Sequence, residues 1–232
     1  MSEQAIKKIL ITGANGFIGG SLMRYYQNQG QAVVGVDLVG NGDDIVEGDI
    51  SQPDSISQLL TESDVIIHTA ALVSNAMQDS DMWRVNVLAT RNLIQAAKEH
   101  KVRRFVQISS IVAYGNTAEG ELNETHPVHA DGGSYVLTKL ASEHVVLSEQ
   151  ANDDIEVVII RPGDAYGPGS RPWIIAPLEA IAKNQFMLPA KGEGFFRPIY
   201  IDDLVRGIVM ATSHPDAAGE IFNISCEGYM AT

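Results

Sequence analysis

The clearest chemistry in this sequence lies in the segment SYVLTKLASEHVV, where a tyrosine and a lysine stand four positions apart. On a helix, Tyr135 and Lys139 share one face and point into the same space. A phenol has a pKa of about 10 and is no base at neutral pH unless a nearby cation favours the phenolate. Lys139 supplies such a cation, so the pair predicts a general acid or base. The same spacing also occurs by chance in pairs on the surface of a helix.

A serine provides a third candidate group. Ser110 follows the apolar run 105–109 and therefore stands at the carboxyl end of a predicted strand. This is the edge at which open α/β sheets bind their ligands. A buried serine in this position can equally cap its own turn, so both interpretations stay open.

Three glycines at equal steps indicate a ligand-binding turn near the start of the chain. Gly13, Gly16 and Gly19 follow a predicted strand and open a predicted helix in KKILITGANGFIGGSLMRYY. In a dinucleotide-binding turn the first takes the tight turn, the second lets the backbone approach the pyrophosphate, and the third allows close helix–strand packing. The helix N-terminus then offers free N–H groups to the phosphates. The spacing is GxxGxxG rather than GxGxxG, so a plain tight turn is the alternative.

Asp37 favours the dinucleotide interpretation. It ends the second predicted strand, AVVGVD, where a carboxylate can accept hydrogen bonds from both hydroxyls of an adenosine ribose. Such a carboxylate repels a 2′-phosphate, and the segment DLVGNGDD contains no Lys or Arg to offset it. The sequence therefore predicts NAD rather than NADP as the cofactor.

Strands and helices that would position these groups alternate along the chain. Short β-branched runs predict strands at 9–12, 32–36, 65–68, 105–109, 157–160 and 221–224. Helical periodicity predicts helices at 18–27, 83–99, 135–149, 174–183 and 201–212. The predicted strands are apolar on both faces, which suits a parallel sheet covered by helices on each side. We therefore expect an α/β fold with a doubly wound Rossmann sheet.

Composition limits the partners of the chain. With a net charge of −13, the protein repels nucleic acid and anionic membranes, so an anionic ligand must be held by local dipoles. Cys226 is the only cysteine, which excludes an internal disulfide and favours a reducing compartment. No apolar stretch approaches the ~20 residues that cross a bilayer, and the histidines show no metal-ligand spacing. We expect a cytoplasmic protein with a small-molecule substrate and no metal.

The pattern changes after Arg161, where prolines interrupt the alternation of strands and helices. We therefore predict an NAD-binding Rossmann domain at 1–161. The segment 162–232 would supply the substrate pocket and the last elements of the sheet without being an independent domain. Because the chain ends at Thr232, directly after the last predicted strand, this small C-terminal substrate lobe is expected to be incomplete.

From Lys8 to Ile224 the sequence resembles the extended short-chain dehydrogenase/reductase family, also called the NAD-dependent epimerase/dehydratase family. The motifs that carry the resemblance occur in the family's order: TGANGFIGG, GVDL, EGDI, HTAA, NVLAT, SSIVAYG, YVLTK and RPGDAYGPG. It implies that Tyr135 is the catalytic acid/base and that Lys139 tunes it and binds the nicotinamide ribose. It also implies that Ser110 hydrogen-bonds the substrate oxygen.

The resemblance also implies a cofactor site. Asp49 and Ile50 would flank the adenine, Ala70 and Ala71 would line the phosphate–ribose path, and Asn86 would support that loop from the next helix. The complete predicted cofactor-binding set is Gly13, Gly16, Phe17, Ile18, Gly19, Asp37, Asp49, Ile50, Ala70, Ala71, Asn86, Tyr135, Lys139 and Pro162.

The sequence differs from two branches of the family at positions that matter for their reactions, which narrows the choice of reaction for this chain. Dehydratases carry an acidic pair after the catalytic hydroxyl, whereas Ile111 and Val112 follow Ser110 here. Sugar-nucleotide epimerases usually carry an Arg-Asp pair that grips a diphosphate, whereas GFFRPIYIDDL places Phe196 and Arg197 at those positions. The predicted substrate contacts are Ser74, Trp173 and Arg197, with Phe195, Phe196 and Met187 nearby in sequence.

The apolar residues of this predicted pocket resemble those of one branch of the family, which contains 3β-hydroxysteroid dehydrogenases and dihydroflavonol reductases. We therefore expect oxidation of a secondary alcohol, or reduction of a ketone, on a small hydrophobic substrate. A sugar-nucleotide epimerase and a non-catalytic NAD-binding or sensing protein are the alternatives. The helices predicted near 83–100 and 135–150 carry apolar stripes, and such helices pair across a two-fold axis in this family, so we expect a C2 homodimer.

Overall fold

Aliphatic runs that are apolar on both faces form a central sheet. The computed structural model describes residues 6–42, 44–73, 78–115, 121–151, 154–187, 195–226 and 230–231. Its strands are β1 Ile9–Thr12, β2 Val33–Asp37, β3 Ile45–Glu47, β4 Val65–His68, β5 Arg104–Ile108, β6 Glu156–Pro162, β7 Asp164–Tyr166, β8 Phe195–Phe196, β9 Pro198–Tyr200, β10 Ile221–Ile224 and β11 Met230–Ala231.

Seven of these strands form one parallel sheet in the order β10-β6-β5-β4-β1-β2-β3. The chain builds outward from β1 through β2 and β3, then crosses over and builds through β4, β5 and β6. The direction of winding therefore reverses between β1 and β4. Open α/β sheets bind ligands at such a reversal, beyond the carboxyl ends of the strands. The predicted doubly wound Rossmann fold is confirmed.

Helices cover both faces of this sheet. They are α1 Phe17–Asn28, α2 Ser57–Glu62, α3 Asp79–Trp83, α4 Thr90–Glu99, α5 Ser134–Gln150, α6 Ala176–Ala182 and α7 Ile201–Ser213. The helix predicted at 83–99 is interrupted, because a wide π-helical turn at Arg84–Ala89 joins α3 to α4. A similar turn at Arg171–Ile175 precedes α6. Among the described helices, none combines the length and the hydrophobicity that crossing a bilayer requires.

Two hydrophobic clusters hold the helices against the sheet. Side chains alternate across a strand, so Ile9 and Ile11 of β1 face one cluster while Leu10 faces the other. The first cluster includes Leu22 of α1 and residues of α7, and the second includes Leu93 of α4 and residues of α5. The sheet is thus buried on both faces, which explains its continuous apolar strands.

Several short elements were not predicted from the sequence. They are β3, α2 and two small sheets, in which β7 pairs with β9 and β8 pairs with β11. Strands of two or three residues are too short to show an alternating pattern. After these small sheets the chain returns to the main sheet, where β10 pairs with β6. The proposed division after Arg161 stays a prediction.

Candidate active site

The glycine turn joins β1, α1 and the loop after β4 more closely than other residues would allow. Gly13 has a φ of +69°, and a Cβ there would lie 2.7 Å from the backbone of Ala70. A Cβ on Gly19 would lie 2.2 Å from the carbonyl oxygen of Gly13. No side chain in the described part of the chain caps α1, which begins after Gly16. The first N–H groups of α1 therefore remain available to an anion.

A cleft of about 610 Å³ opens beside this turn, at the carboxyl ends of β1, β2 and β4. The predicted cofactor residues that line it are Gly13, Gly16, Asp37, Asp49, Ile50, Ala70 and Ala71. Phe17 and Ile18 instead pack against the hydrophobic core beneath α1. Pro162 is buried at the end of β6, where it pairs with Ile224 of β10.

Two carboxylates are fixed at the rim of the cleft by backbone N–H groups. Asp37 accepts hydrogen bonds from the N–H groups of Asn15 and Leu38, at 2.9 and 2.8 Å. Asp49 accepts one from Ser51 N–H at 2.8 Å. Each carboxylate oxygen can accept a further bond, so the Asp37 side chain is held in place and still able to bind ribose hydroxyls.

Arg84 also lines the cleft and was not singled out from the sequence. Its side chain is 68% exposed and pairs with Asp81 at 3.0 Å, on the adjacent turn of the helix. In the sequence, only its position two residues before the motif NVLAT indicates that Arg84 lies near the site. It places a cation in a cleft that otherwise presents two carboxylates.

Asn86 lies in the π-helical turn and holds the loop after β4. Its Oδ1 accepts a hydrogen bond from Leu72 N–H at 2.7 Å, and its Nδ2 donates to Leu72 O at 3.0 Å. Nδ2 also lies 3.1 Å from the hydroxyl of Thr138 on α5. Asn86 therefore connects the wall of the cleft to the helix that carries Tyr135 and Lys139.

Ser110 lies directly after β5 and contacts both its own turn and the tyrosine. Its Oγ accepts a hydrogen bond from Val112 N–H at 3.3 Å and so caps the 3₁₀ turn Ile111–Tyr114. It also lies close enough to the phenol of Tyr135, in the first turn of α5, to influence its pKa. Burial raises the pKa of the Tyr135 phenol, and the nearby Ser110 opposes that rise. Ser110 can therefore cap its own turn and still belong to a ligand-binding site.

Lys139 is buried next to this tyrosine. It is 5% exposed, its Nζ donates to Ile108 O at 2.9 Å, and Nζ lies 6.0 Å from the centre of the Tyr135 ring. Burial lowers the pKa of Lys139 to about 8, although the nearby Glu143 carboxylate raises it. A lysine with this pKa is still largely charged at neutral pH, so it can favour the phenolate.

The predicted substrate residues lie in different surroundings. Trp173 packs against Phe196 with ring centres 4.8 Å apart, and Trp173 is 42% exposed. Arg197 is half-buried, and its backbone N–H donates to Asp164 Oδ2 at 3.0 Å. Met187 is 83% exposed. Ser74 and the side chain of Phe195 lie outside what the structure describes.

Known proteins resemble the chain across most of its length. A model of the NAD dependent epimerase/dehydratase family matches residues 9–225. UDP-glucose 4-epimerase from Vibrio cholerae is 31% identical over 94% of this chain and 70% of its own length. The 3 beta-hydroxysteroid dehydrogenase/Delta 5→4-isomerase of Mycobacterium tuberculosis is 28% identical over 94% of this chain and 64% of its own.

A solved structure shows the same likeness in three dimensions. The UDP-glucuronic acid 4-epimerase from Bacillus cereus, in complex with UDP-glucuronic acid and NAD, matches with a TM-score of 0.86 and 28% identity. The match covers 97% of this chain and 79% of that one.

Proposed function

Because the chain belongs to the NAD dependent epimerase/dehydratase family, we propose that it is an NAD-dependent oxidoreductase that interconverts a secondary alcohol and a ketone on a small apolar substrate. The observation that carries this proposal is the contact of Tyr135 with Ser110 beside the buried Lys139. These three groups lie at the edge of the sheet at which the cleft opens. Such an edge is where α/β enzymes bring cofactor and substrate together.

The cleft fits a dinucleotide. The close approach at Gly13 and the open N-terminus of α1 suit a pyrophosphate, and Asp37 suits an adenosine ribose. These local dipoles matter because a protein with a net charge of −13 repels phosphates at long range. NAD held there would supply the hydride chemistry at the alcohol or ketone carbon.

The side chains then manage the proton. In the oxidation direction, the Tyr135 phenolate takes the proton of the substrate hydroxyl, and the charge of the Lys139 ammonium favours that phenolate. In the reduction direction, the Tyr135 phenol gives that proton back to the oxygen. The Ser110 hydroxyl donates a hydrogen bond to the same oxygen and stabilises the charge that develops on it.

The aromatic pair favours an apolar substrate. Phe196 occupies the position at which sugar-nucleotide epimerases usually carry an arginine, and its ring packs against Trp173. An aromatic surface of this kind binds apolar rings and offers no charge to a diphosphate. Ile111 and Val112, which follow Ser110, cannot move the protons that a dehydration needs.

A sugar-nucleotide epimerase is the second candidate, and the relatives favour it. The Vibrio cholerae and Bacillus cereus proteins described above are both named as 4-epimerases of UDP-linked sugars. An epimerase oxidises and re-reduces one alcohol carbon, so it would use the same serine, tyrosine and lysine.

One assay separates the candidates. The protein is incubated with NAD and either apolar cyclic secondary alcohols or UDP-sugars, and NADH absorbance is followed alongside product analysis. We expect net NADH with an apolar alcohol and none with the Tyr135→Phe variant, which serves as the matched control. Conversion of a UDP-sugar into its epimer without net NADH would replace the first candidate by the second. If NAD binds but neither class reacts, both are wrong.

A further inference from the structure

A buried carboxylate stands one helical turn beyond Lys139. Glu143 is 1% exposed on the inner face of α5, and both of its oxygens are engaged. Oε1 accepts hydrogen bonds from Ser109 Oγ at 2.5 Å and Arg161 Nε at 3.0 Å, and Oε2 accepts one from Arg161 Nη2 at 2.7 Å. Ser109 directly precedes Ser110, so this carboxylate contacts the segment that carries Ser110.

The ion pair continues into the wall of the site. Arg161 Nη1 donates to the hydroxyl of Tyr114 at 2.9 Å, and the guanidinium carbon lies 4.8 Å from the Tyr114 ring centre. Tyr114 ends the turn that Ser110 begins, and its hydroxyl lies 2.9 Å from Asn223 Oδ1 on β10. One buried network thus connects α5 to β5, β6 and β10.

We propose that Glu143 is a positioning residue that acts through Lys139: its charge keeps the Lys139 ammonium protonated at neutral pH, and its paired geometry holds that charge in place. The proposal rests on the oxidoreductase function argued above, in which the ammonium favours the Tyr135 phenolate. A buried ammonium beside one backbone carbonyl is poorly solvated, and a carboxylate one turn away compensates for the lost water.

Within the part of the chain that the structure describes, the other charged or titratable groups of this region do not replace this carboxylate. His68 of β4 is held between the hydroxyls of Thr12 and Thr90, and burial lowers its pKa to about 3, so it is neutral. Arg161 of β6 is a cation, and Tyr135 and Tyr114 are phenols. The negative charge that raises the pKa of Lys139 is that of Glu143.

The test is an NMR titration of Lys139 that needs no substrate. Protein carrying ¹³C-labelled lysine is titrated, and Lys139→Met assigns the Lys139 signal. We expect a midpoint of about 8 in the unaltered protein. Glu143→Gln should lower it by about one unit, the low end of the shifts caused by a nearby opposite charge.

Two control variants separate charge from structure. Ser109→Ala removes one hydrogen bond from the Glu143 carboxylate but keeps the charge of that carboxylate, so the Lys139 midpoint should remain unchanged. Glu149→Gln removes a carboxylate of the same helix that pairs with Lys98 instead, at 2.9 Å, and should also leave the midpoint unchanged. If Glu143→Gln fails to fold because Arg161 is left unpaired, the double variant with Arg161→Gln replaces it, and its midpoint should lie below that of Arg161→Gln alone. An unchanged midpoint in the variant that folds would overturn the proposal.

A pH–rate profile gives an independent readout once a substrate is in hand. Removing a nearby negative charge makes both Tyr135 and Lys139 release protons more readily, so the acid limb of alcohol oxidation should move to lower pH in Glu143→Gln. A lower NMR midpoint without any turnover would contradict the proposed function and leave the electrostatic role of Glu143 supported. Turnover with an acid limb that stays in place would contradict that role.

Discussion

Replacing Lys139 by methionine should stabilise the protein while removing its proposed activity. The lysine is 5% exposed, and Nζ donates to Ile108 O rather than to a carboxylate. Burial lowers its pKa from 10.5 to about 8, which means that the folded state holds the proton less tightly than the unfolded chain does. Methionine has a stem of similar length and carries no charge. Lys139→Met therefore removes a buried ammonium whose desolvation destabilises the folded state.

The magnitude follows from the shift in pKa. One unit corresponds to about 1.36 kcal/mol, so the charged Lys139 lowers the free energy of unfolding by roughly 3 kcal/mol at neutral pH. Methionine cannot bond to Ile108 O, and the loss of that hydrogen bond subtracts about 1 kcal/mol. Lys139→Met should therefore raise the free energy of unfolding by roughly 2 kcal/mol at neutral pH.

The sign of the pH dependence provides the sharper check. Because the pKa is lower in the folded state, the unfolded chain binds more protons between about pH 8 and pH 10.5. The unaltered protein therefore gains stability relative to the variant as the pH rises through this window. The advantage of Lys139→Met is fully present below pH 8 and should be gone at the upper end of the window.

Urea unfolding followed by circular dichroism, at neutral pH and at about pH 10, measures this difference. Lys98→Met is the matched control, because Lys98 pairs with Glu149 and the pair raises its pKa. This variant should gain no stability at neutral pH. If Lys139→Met is no more stable than the unaltered protein at neutral pH, or if its advantage does not shrink as the pH rises, the reasoning fails.

The remaining predictions concern the same site and its assembly. Tyr135→Phe should lower turnover by ~10²–10⁴-fold because it removes the proton donor, while NAD affinity measured by calorimetry should barely change. Asp37→Ala should narrow the preference for NAD over NADP in the same titrations, and equal affinities in the unaltered protein would rule out the role given to Asp37. The chain should sediment as a C2 homodimer that pairs through α4 and α5, and a monomer alone at micromolar concentration would count against this.

The sheet and the glycine turn could be predicted because each leaves a local signal. Buried parallel strands produce continuous apolar runs, and a turn that brings two backbones together requires glycine whatever the rest of the fold is. At Gly13 and Gly19 the structure shows this requirement directly, since a Cβ would clash with Ala70 or with the turn itself. Of the residues predicted from such signals, Gly13, Gly16 and Asp37 line the cleft.

The unpredicted parts leave no comparable signal. The π-helical turn at Arg84–Ala89 inserts one residue into a helix whose apolar pattern continues on both sides, so periodicity alone predicts an unbroken helix. Glu143 stands four residues after Lys139, which the sequence shows, but its partner Ser109 directly follows β5 and its partner Arg161 lies in β6. Contacts of this kind are set by the topology of the sheet rather than by local sequence.

The spacing of Tyr135 and Lys139 shows the same limit at the centre of the site. Two residues four apart on a helix could equally have formed a pair on its surface. Lys139 differs because the end of β5 packs against it, so that its Nζ donates to the backbone carbonyl of Ile108 instead of to water. A strand distant in sequence thus buries Lys139, and this burial brings the pKa of Lys139 towards neutral pH. The neighbouring Tyr135 therefore faces a cation whose charge is supported by the buried Glu143. The spacing predicts which two groups meet, whereas the burial that raises the pKa of Tyr135 and lowers that of Lys139 is set by the packing around them.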